Sequence, residues 1–517
     1  MLGKISENKF LNLFLFPFCI GSLSILSFAP YNYTIINFFL FPLLYLVILN
    51  IKKKSKGKYR KKPFLKNIFF SGYSFGFGFF LFGNYWISNS LSFDESLKML
   101  IPLTIIILPA FLGLFYGLAT LISGYFINNS VSSIFMFSAI FSILDFFRGK
   151  LLTGFPWNLW SYSWHWFAEF IQLVNITGIY AFNLISLFIF TFPVVIFLKK
   201  NNFIFKFLVP YLVFIFSIYI YGNYALNNSI NSTKNTKENE INFKIISPKF
   251  KIKYGLNDQD VKFLIKEIIK ISDPNKNEET IFIWPEGVFS GYYFHELEKF
   301  KDEIKKNFST KHLIIFGSNT IEKKSGNTFN SFIIINNNFD KVYQYNKTRL
   351  VPFGEFLPMQ KYLENLGIKK ITEGYGSFSK GEKNNNFLYS KYSILPVICY
   401  EIIFPEIFQN SENKTNLIIN ISEDGWFGKS IGPSQHFVKA KYRAIENNSY
   451  LIRSANKGYS AFISNKGQVI KMLKPNEVGN IELRLPLVNS NKKNKNDLIF
   501  FILLITNLVT FIIFKNE

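Results

Sequence analysis

Long apolar runs separated by short polar connections dominate the first 225 or so residues. A run of about 20 apolar residues is long enough to cross a bilayer as a helix. Such runs lie near 10–28, 33–51, 66–87, 100–126, 132–148, 178–198 and 203–222, and an eighth stands alone at 497–514. "SFAP" follows the first run and lysines precede it, faintly like a cleavable signal peptide, but further spans follow, so an uncleaved anchor is expected. The pattern changes near residue 240. From there to 488, short β-rich runs recur: "INFKIIS", "TIFIW", "HLIIFGS", "NSFIIIN", "KVYQYN", "YSILPVICY", "NLIINIS" and "YSAFISN". Residues 259–271 and 433–447 have helical spacing instead. Three parts are predicted: a transmembrane helical domain over 1–225 with about seven spans, an α/β domain over 226–490, and a C-terminal transmembrane helix over 491–517. The middle part is large enough to bury its own core between layered sheets.

Charge orients this layout. The formal net charge is +24, and lysines and arginines concentrate beside the apolar runs. "KKKSKGKYRKKPFLK", between the second and third runs, is expected in the cytoplasm by the positive-inside rule. Counting outward puts the N-terminus, Lys199, Lys200, Lys206 and Lys515 on the same side, and residues 223–496 on the outer side. "NKKNKND", before the last run, opposes this but is outweighed by the longer loop. A basic nucleic-acid binder fails on this topology. A transporter is disfavoured, because the runs carry few charges; Asp145 and Arg148 lie at one predicted end. "FGNYWISNSL" (82–91) and "RGKLLTGFPWNLWSYSW" (148–164) read as an aromatic belt at the lipid headgroups, although the Gly-Phe-Pro-Trp turn also suits a re-entrant piece.

Two cysteines, Cys19 and Cys399, exclude a disulfide framework and a cysteine-based zinc site. Cys19 sits in an apolar run and reads as a small hydrophobe. Three predicted strand ends carry reactive groups: Glu286 in "IFIWPEG", Lys347 in "YQYNKTRLVPFGEFLP" with Glu355 eight residues on, and Cys399 in "VICYE". A carboxylate can take a thiol proton, the thiolate can attack a carbonyl, and an ammonium can stabilise the oxyanion. The lysine is also expected to lower the thiol pKa. Singly, each is ordinary: a turn residue, a solvated lysine, a core thiol. Of four histidines, only His436 in "GPSQHF" rivals Glu286 as the base.

Taken in order, "WPEG", "NKTRLVPFGEFLP" and "ICYE" resemble the Glu-Lys-Cys set of the nitrilase (carbon-nitrogen hydrolase) superfamily. With "SFAP", "GNYWISNSL", "LTGFPWN" and "SEDGWFGKSIGPSQHF…KYRAIENNSYLIRSANKGYSA", nearly the whole chain resembles its membrane-bound branch, the apolipoprotein N-acyltransferases. The resemblance implies about eight transmembrane helices and a nitrilase-like αββα sandwich on the periplasmic side of the bacterial inner membrane. It implies Glu286 as general base, Lys347 as oxyanion-stabilising cation and Cys399 as nucleophile. Glu355, Tyr400 and Glu401 match further functional positions, and Trp426 lies in the matching "WFG". Where the family often has a tryptophan after the first strand, this chain has "SPKFKIKYGL", with Tyr254 the nearest aromatic. The aromatic segments 284–294 and 425–427 are candidates for lipid contact or for ordinary core. No cofactor or metal is implied. The expected partners are a phospholipid acyl donor and a diacylated apolipoprotein acceptor, served by a membrane-embedded monomer through a cysteine thioester. The three residues themselves leave open a membrane-tethered amidase with water as acceptor.

Overall fold

Apolar runs too long for strands fold as helices, and the shorter alternating runs pair into sheets. The structure is a computed structural model that describes residues 9–55, 61–93, 95–198, 201–232, 241–253, 255–358, 377–382, 385–409, 414–486 and 496–514. It divides into two compact units. The first comprises the described residues of Met1–Asn89, Met99–Asn227 and Lys495–Glu517, and the second those of Ser90–Lys98 and Asn228–Asn494.

In the first unit, five helical segments are long and apolar enough to cross a membrane: Thr34–Ser55, Leu97–Phe126, Ser132–Lys150, Val174–Leu198 and Ile204–Asn227. Leu11–Ser27 and Asp497–Ile513 are apolar but shorter. The run expected near 66–87 is a continuous helix, Lys61–Asn84, yet it is not among the five. Its glycines, its serines and Tyr73 dilute its hydropathy, and its glycines serve packing instead. A Cβ on Gly72 would lie 1.8 Å from Thr120 Oγ1, and one on Gly21 would lie 1.9 Å from the Phe75 carbonyl oxygen. Close approach through small residues is how helices associate in lipid.

The tryptophans of 148–164 do not form a belt. Trp157, Trp160 and Trp164 are all buried. Trp160 stacks on Phe79 with centroids 4.4 Å apart and meets Phe41 edge-on at 4.6 Å. Beside it lies a buried ion pair: Arg148 donates to Asp145 Oδ1 at 2.9 Å. Asn183 donates to Asp145 Oδ2 at 3.0 Å, and Arg148 also donates to the Phe155 carbonyl at 2.6 Å.

The second unit holds two six-stranded sheets. One contains β1 (Asn242–Ser247), β2 (Thr280–Ile283), β3 (His312–Ile321), β4 (Thr328–Ile335), β5 (Lys341–Asn346) and β12 (Gly479–Arg484), in the order β12-β1-β2-β3-β4-β5. The other contains β6 (Phe387–Tyr389), β7 (Tyr392–Ile398), β8 (Leu417–Glu423), β9 (Tyr450–Asn456), β10 (Ser460–Ile463) and β11 (Val469–Leu473), in the order β11-β10-β9-β8-β7-β6. Each has a parallel trio at its centre, β1-β2-β3 and β7-β8-β9, flanked by antiparallel strands.

Strand alternation explains the layers. Phe243, Ile245, Ile281, Ile283, Ile315 and Phe332 pack against Ile394, Ile419, Ile452 and Phe462 between the sheets. Ile246, Phe282, Ile314 and Ile333 point the other way, onto the helices Asp258–Ser272 and Lys301–Asn307. The helix Gly432–Glu446 covers the second sheet. The layers are helix, sheet, sheet, helix. Trp284, Phe289 and Phe294 belong to the helix-side core, as ordinary core aromatics, while Tyr292 and Tyr293 are half-buried.

Candidate active site

The C-terminal ends of parallel strands leave backbone groups and side chains free to face a ligand, and this is where open α/β sheets place their sites. Three residues past β2 comes Glu286, reached through Trp284 and Pro285. Its backbone crosses so close to β3 that a Cβ on Gly317 would lie 2.9 Å from the Glu286 Cα. Only glycine fits there. Lys347 follows β5 directly, its backbone N–H donating to the Asn330 carbonyl at 2.9 Å. Cys399 follows β7 at a sharp turn, with φ at +47°, a conformation that residues bearing a Cβ rarely adopt. A strand that breaks into such a turn presents the side chain at its tip, and here that thiol is buried.

The structure brings these three together. Lys347 Nζ, itself buried, donates to Glu355 Oε1 at 2.8 Å and reaches Glu286 Oε1 at 3.5 Å. Asn330 on β4 ties the two carboxylates: its amide donates to Glu286 Oε1 at 2.8 Å and to Glu355 Oε1 at 2.9 Å. Glu286 Oε2 accepts the backbone N–H of Glu423, at the end of β8 in the other sheet, at 3.0 Å. Cys399 lies within electrostatic reach of both Glu286 and Lys347.

Lys347 does pull the thiol pKa down as expected, but burial and other groups outweigh it. Burial pushes the Cys399 pKa up, Glu286 and Asp424 push it further, and the opposing pull of Lys347 does not offset them. The resting group is a thiol, not a thiolate held by the lysine, so its proton must be removed by a base. Lys347 moves differently. Burial alone would lower its pKa, but the charges of Glu286 and Glu355 raise it, so it stays an ammonium. Such a cluster can pass a proton from sulfur to carboxylate and hold a new oxyanion beside a fixed positive charge.

Glu401 is the hub beneath the cluster. It is fully buried, and burial raises its pKa despite the hydrogen bonds it accepts. Oε1 accepts from Tyr345 OH at 2.7 Å and from the N–H groups of Thr348 at 2.8 Å and Arg349 at 3.1 Å. Oε2 accepts the Ile398 N–H at 2.9 Å. One carboxylate thus pins both the loop after Lys347 and the turn carrying Cys399. Glu355 does similar work locally, accepting the Val351 N–H at 2.8 Å through Oε2. Tyr400 packs edge-on against Phe404, and half-buried Trp426 packs edge-on against Phe93 at 5.0 Å. Tyr254 lies outside the described residues.

His436, the rival base, is fully buried, and its Nε2 lies 3.3 Å from the Cys399 carbonyl oxygen. It faces the backbone of Cys399. Asn330, Glu423, Asp424 and Arg453 did not stand out among the candidates. Asn330 sits in a run read only as strand, and the others lie within a stretch recognised as a block without its parts being resolved. The described residues contain no group of three or more histidines, cysteines, aspartates or glutamates placed to hold a metal ion.

A glutamate, a lysine and a cysteine gathered at strand ends of a four-layered sandwich define a carbon-nitrogen hydrolase domain. The carbon-nitrogen hydrolase family model matches residues 264–491, and that of the apolipoprotein N-acyltransferase N-terminal domain matches residues 20–192. An apolipoprotein N-acyltransferase of Rickettsia typhi is 32% identical over 478 residues, 91% of either chain. One from Rhizobium etli is 28% identical over 474 residues, 89% of this chain and 88% of that one. The solved structure of Saccharomyces cerevisiae Nit3, a member of branch 10 of the nitrilase superfamily, is 18% identical, with a TM-score of 0.34. That alignment covers 47% of this chain and 89% of that one. The chain belongs to the apolipoprotein N-acyltransferase family.

Proposed function

We propose that this bacterial membrane enzyme transfers an acyl chain from a phospholipid to the α-amine of the N-terminal diacylglyceryl-cysteine of apolipoproteins. One observation carries the mechanism: a buried lysine faces Glu286 and Glu355 beside a protonated Cys399. Glu286 takes the thiol proton, and the thiolate attacks the ester carbonyl. Negative charge moves onto the carbonyl oxygen, where Lys347 stabilises it. Collapse of the tetrahedral intermediate breaks the ester C–O bond. The leaving lysophospholipid takes the proton from Glu286, and Cys399 is left as a thioester. In the second half the amine attacks the thioester carbon, Glu286 accepts its proton, the C–S bond breaks and the amide leaves. The thiolate then recovers the proton.

Glu355 and Glu401 act by fixing Lys347 and the Cys399 turn, while Tyr400 and Trp426 border the acyl path. Eight spanning helices hold a monomer in the inner membrane with the α/β unit on the periplasmic side, since both substrates are lipid-anchored. Water as acceptor is not favoured: the N-acyltransferase relatives match over both domains.

Incubation with acyl-labelled phospholipid is expected to label the wild-type protein, with release by neutral hydroxylamine. Addition of a diacylated lipopeptide moves the label into an amide. Cys399→Ser folds in membranes but forms no acyl-enzyme. Full activity in Cys399→Ala sinks the mechanism, and release of free acid in place of amide sinks the acceptor assignment.

A further inference from the structure

We propose that His436 is a positioning residue for the nucleophile, its imidazole locking the Cys399–Tyr400 peptide in the turn that presents the thiol. The inference rests on Cys399 being the attacking group. Cys399 occupies the left-handed region with a side chain attached, so both sides of the turn must hold it there. Upstream, Glu401 Oε2 accepts the Ile398 N–H at 2.9 Å. Downstream, His436 Nε2 stands 3.3 Å from the Cys399 carbonyl oxygen. A carbonyl oxygen only accepts, so Nε2 carries the hydrogen. Nδ1 faces both Asp424 Oδ1 at 3.0 Å and the Arg453 amino group at 2.9 Å; in that tautomer it accepts from Arg453, whose same amino group also donates to Asp424 Oδ1.

Arg453 is fixed in turn. Its guanidinium donates to both oxygens of Asp424 at 2.8 Å, and Ser422 donates to Asp424 Oδ1 at 2.7 Å. All four residues are buried. The charged groups bearing on His436 are Arg453 and Asp424 beside it and Lys439 on its own helix. Burial first, and then the Arg453 charge, push the His436 pKa down to about 4. The imidazole is therefore neutral at physiological pH, with its one proton already engaged with the carbonyl. It is a fixed donor, not a base. In a trans peptide the C=O and the following N–H point to opposite sides, so fixing the Cys399 carbonyl also fixes the direction of the Tyr400 N–H.

The test uses the full-length protein in detergent and two variants. A glutamine amide can place an N–H near the position of Nε2; an asparagine reaches only that of Nδ1. His436→Asn is expected to slow single-turnover acylation by labelled phospholipid roughly 100-fold at saturating lipid, with little change in KM. His436→Gln recovers roughly tenfold of that, and the acid limb of the pH–rate profile stays where it is in wild type. Alkylation of Cys399 by iodoacetamide gives a readout independent of any lipid. Slowing in the Asn variant and recovery in the Gln variant support the positioning role even if phospholipid is not the donor. Equal rates in the two variants overturn the proposal. So does loss of the acid limb in His436→Gln, which would make the histidine the base. Failure of both variants to fold also overturns it, because scaffolding then accounts for the side chain.

Discussion

Two of the buried ion clusters among the described residues, one in each unit, are built to opposite ends. In the helical unit Asp145 meets Arg148, one charge against one. Both Asp145 oxygens are occupied, by Arg148 and Tyr116 on one side and Asn183 on the other, and Arg148 also bonds the Phe155 and Asn158 carbonyls. In the α/β unit a single ammonium, Lys347, faces two carboxylates, with a protonated thiol beside them. The first cluster is electrically closed, and nothing in it can move without breaking it. The second carries a surplus negative charge that is free to travel. When Glu286 takes the thiol proton, one negative charge passes from carboxylate to sulfur, and then to the substrate oxygen. At every stage it stays beside Lys347, so the reaction relocates charge without creating it, and little of the surroundings must reorganise.

The sharpest way to break this contrast is Lys347→Met. It removes the charge that every stage of the reaction shares, and acyl-enzyme formation is expected to fall on the order of 10³-fold. Single-turnover labelling by phospholipid measures it. A loss below about tenfold would mean that the cluster does not work through its cation.

Arg148→Met makes the complementary change in the closed cluster. Leaving Asp145 buried and unpaired is expected to cost about 3–5 kcal/mol of stability. The readout is a lower Tm and a smaller folded yield in detergent. A variant as stable as wild type would mean that Asp145 accepts a proton readily, and that the pair is not closed in the sense argued above.

The contrast was only half legible in the sequence. Asp145 and Arg148 were visible as charges at the end of an apolar run, but three residues apart on a helix they read as equally able to face water. Their pairing depends on Asn183 and Tyr116, far away along the chain. The α/β unit was clearer, because its strands alternate cleanly. All eight quoted runs are strands, and both helical patterns, near 259–271 and 433–447, are helices. Four strands, β6, β9, β11 and β12, lie outside those runs, and two of them show why. β9, "YLIRSAN", is wholly buried yet carries an arginine, which is tolerated because Asp424 neutralises it. β12, "GNIELR", is a half-exposed edge strand with charges on its open face. Glu286, Lys347 and Cys399 were legible as strand-end groups. The net upward shift of the thiol pKa was not, since it depends on how deeply the fold buries it. The buried tryptophans of 148–164 show the same limit: aromatic composition alone does not tell a membrane belt from a packed core.

The smallest expected effect concerns the surplus charge itself. Glu423 is buried next to the cluster, its N–H bonded to Glu286 and its carboxyl held by Gly425 N–H at 2.8 Å and Asn456 at 2.7 Å. Burial first, with Glu286 and Asp424 adding to it, lifts its pKa from 4.5 to about 8. A carboxyl whose pKa is raised on folding binds more protons in the native state, so its share of stability is complete below pH 4.5 and is lost as pH rises through about 8. Within that window each pH unit removes at most about 1.4 kcal/mol. Glu423→Gln imitates the protonated acid and carries no charge at any pH. Its Tm is therefore expected to decline less than that of wild type between pH 6 and 8, the two curves drawing together toward pH 5. Parallel curves would show that Glu423 is already ionised throughout. The cluster would then carry two surplus negative charges, and Lys347 alone would not suffice to keep the travelling charge stabilised.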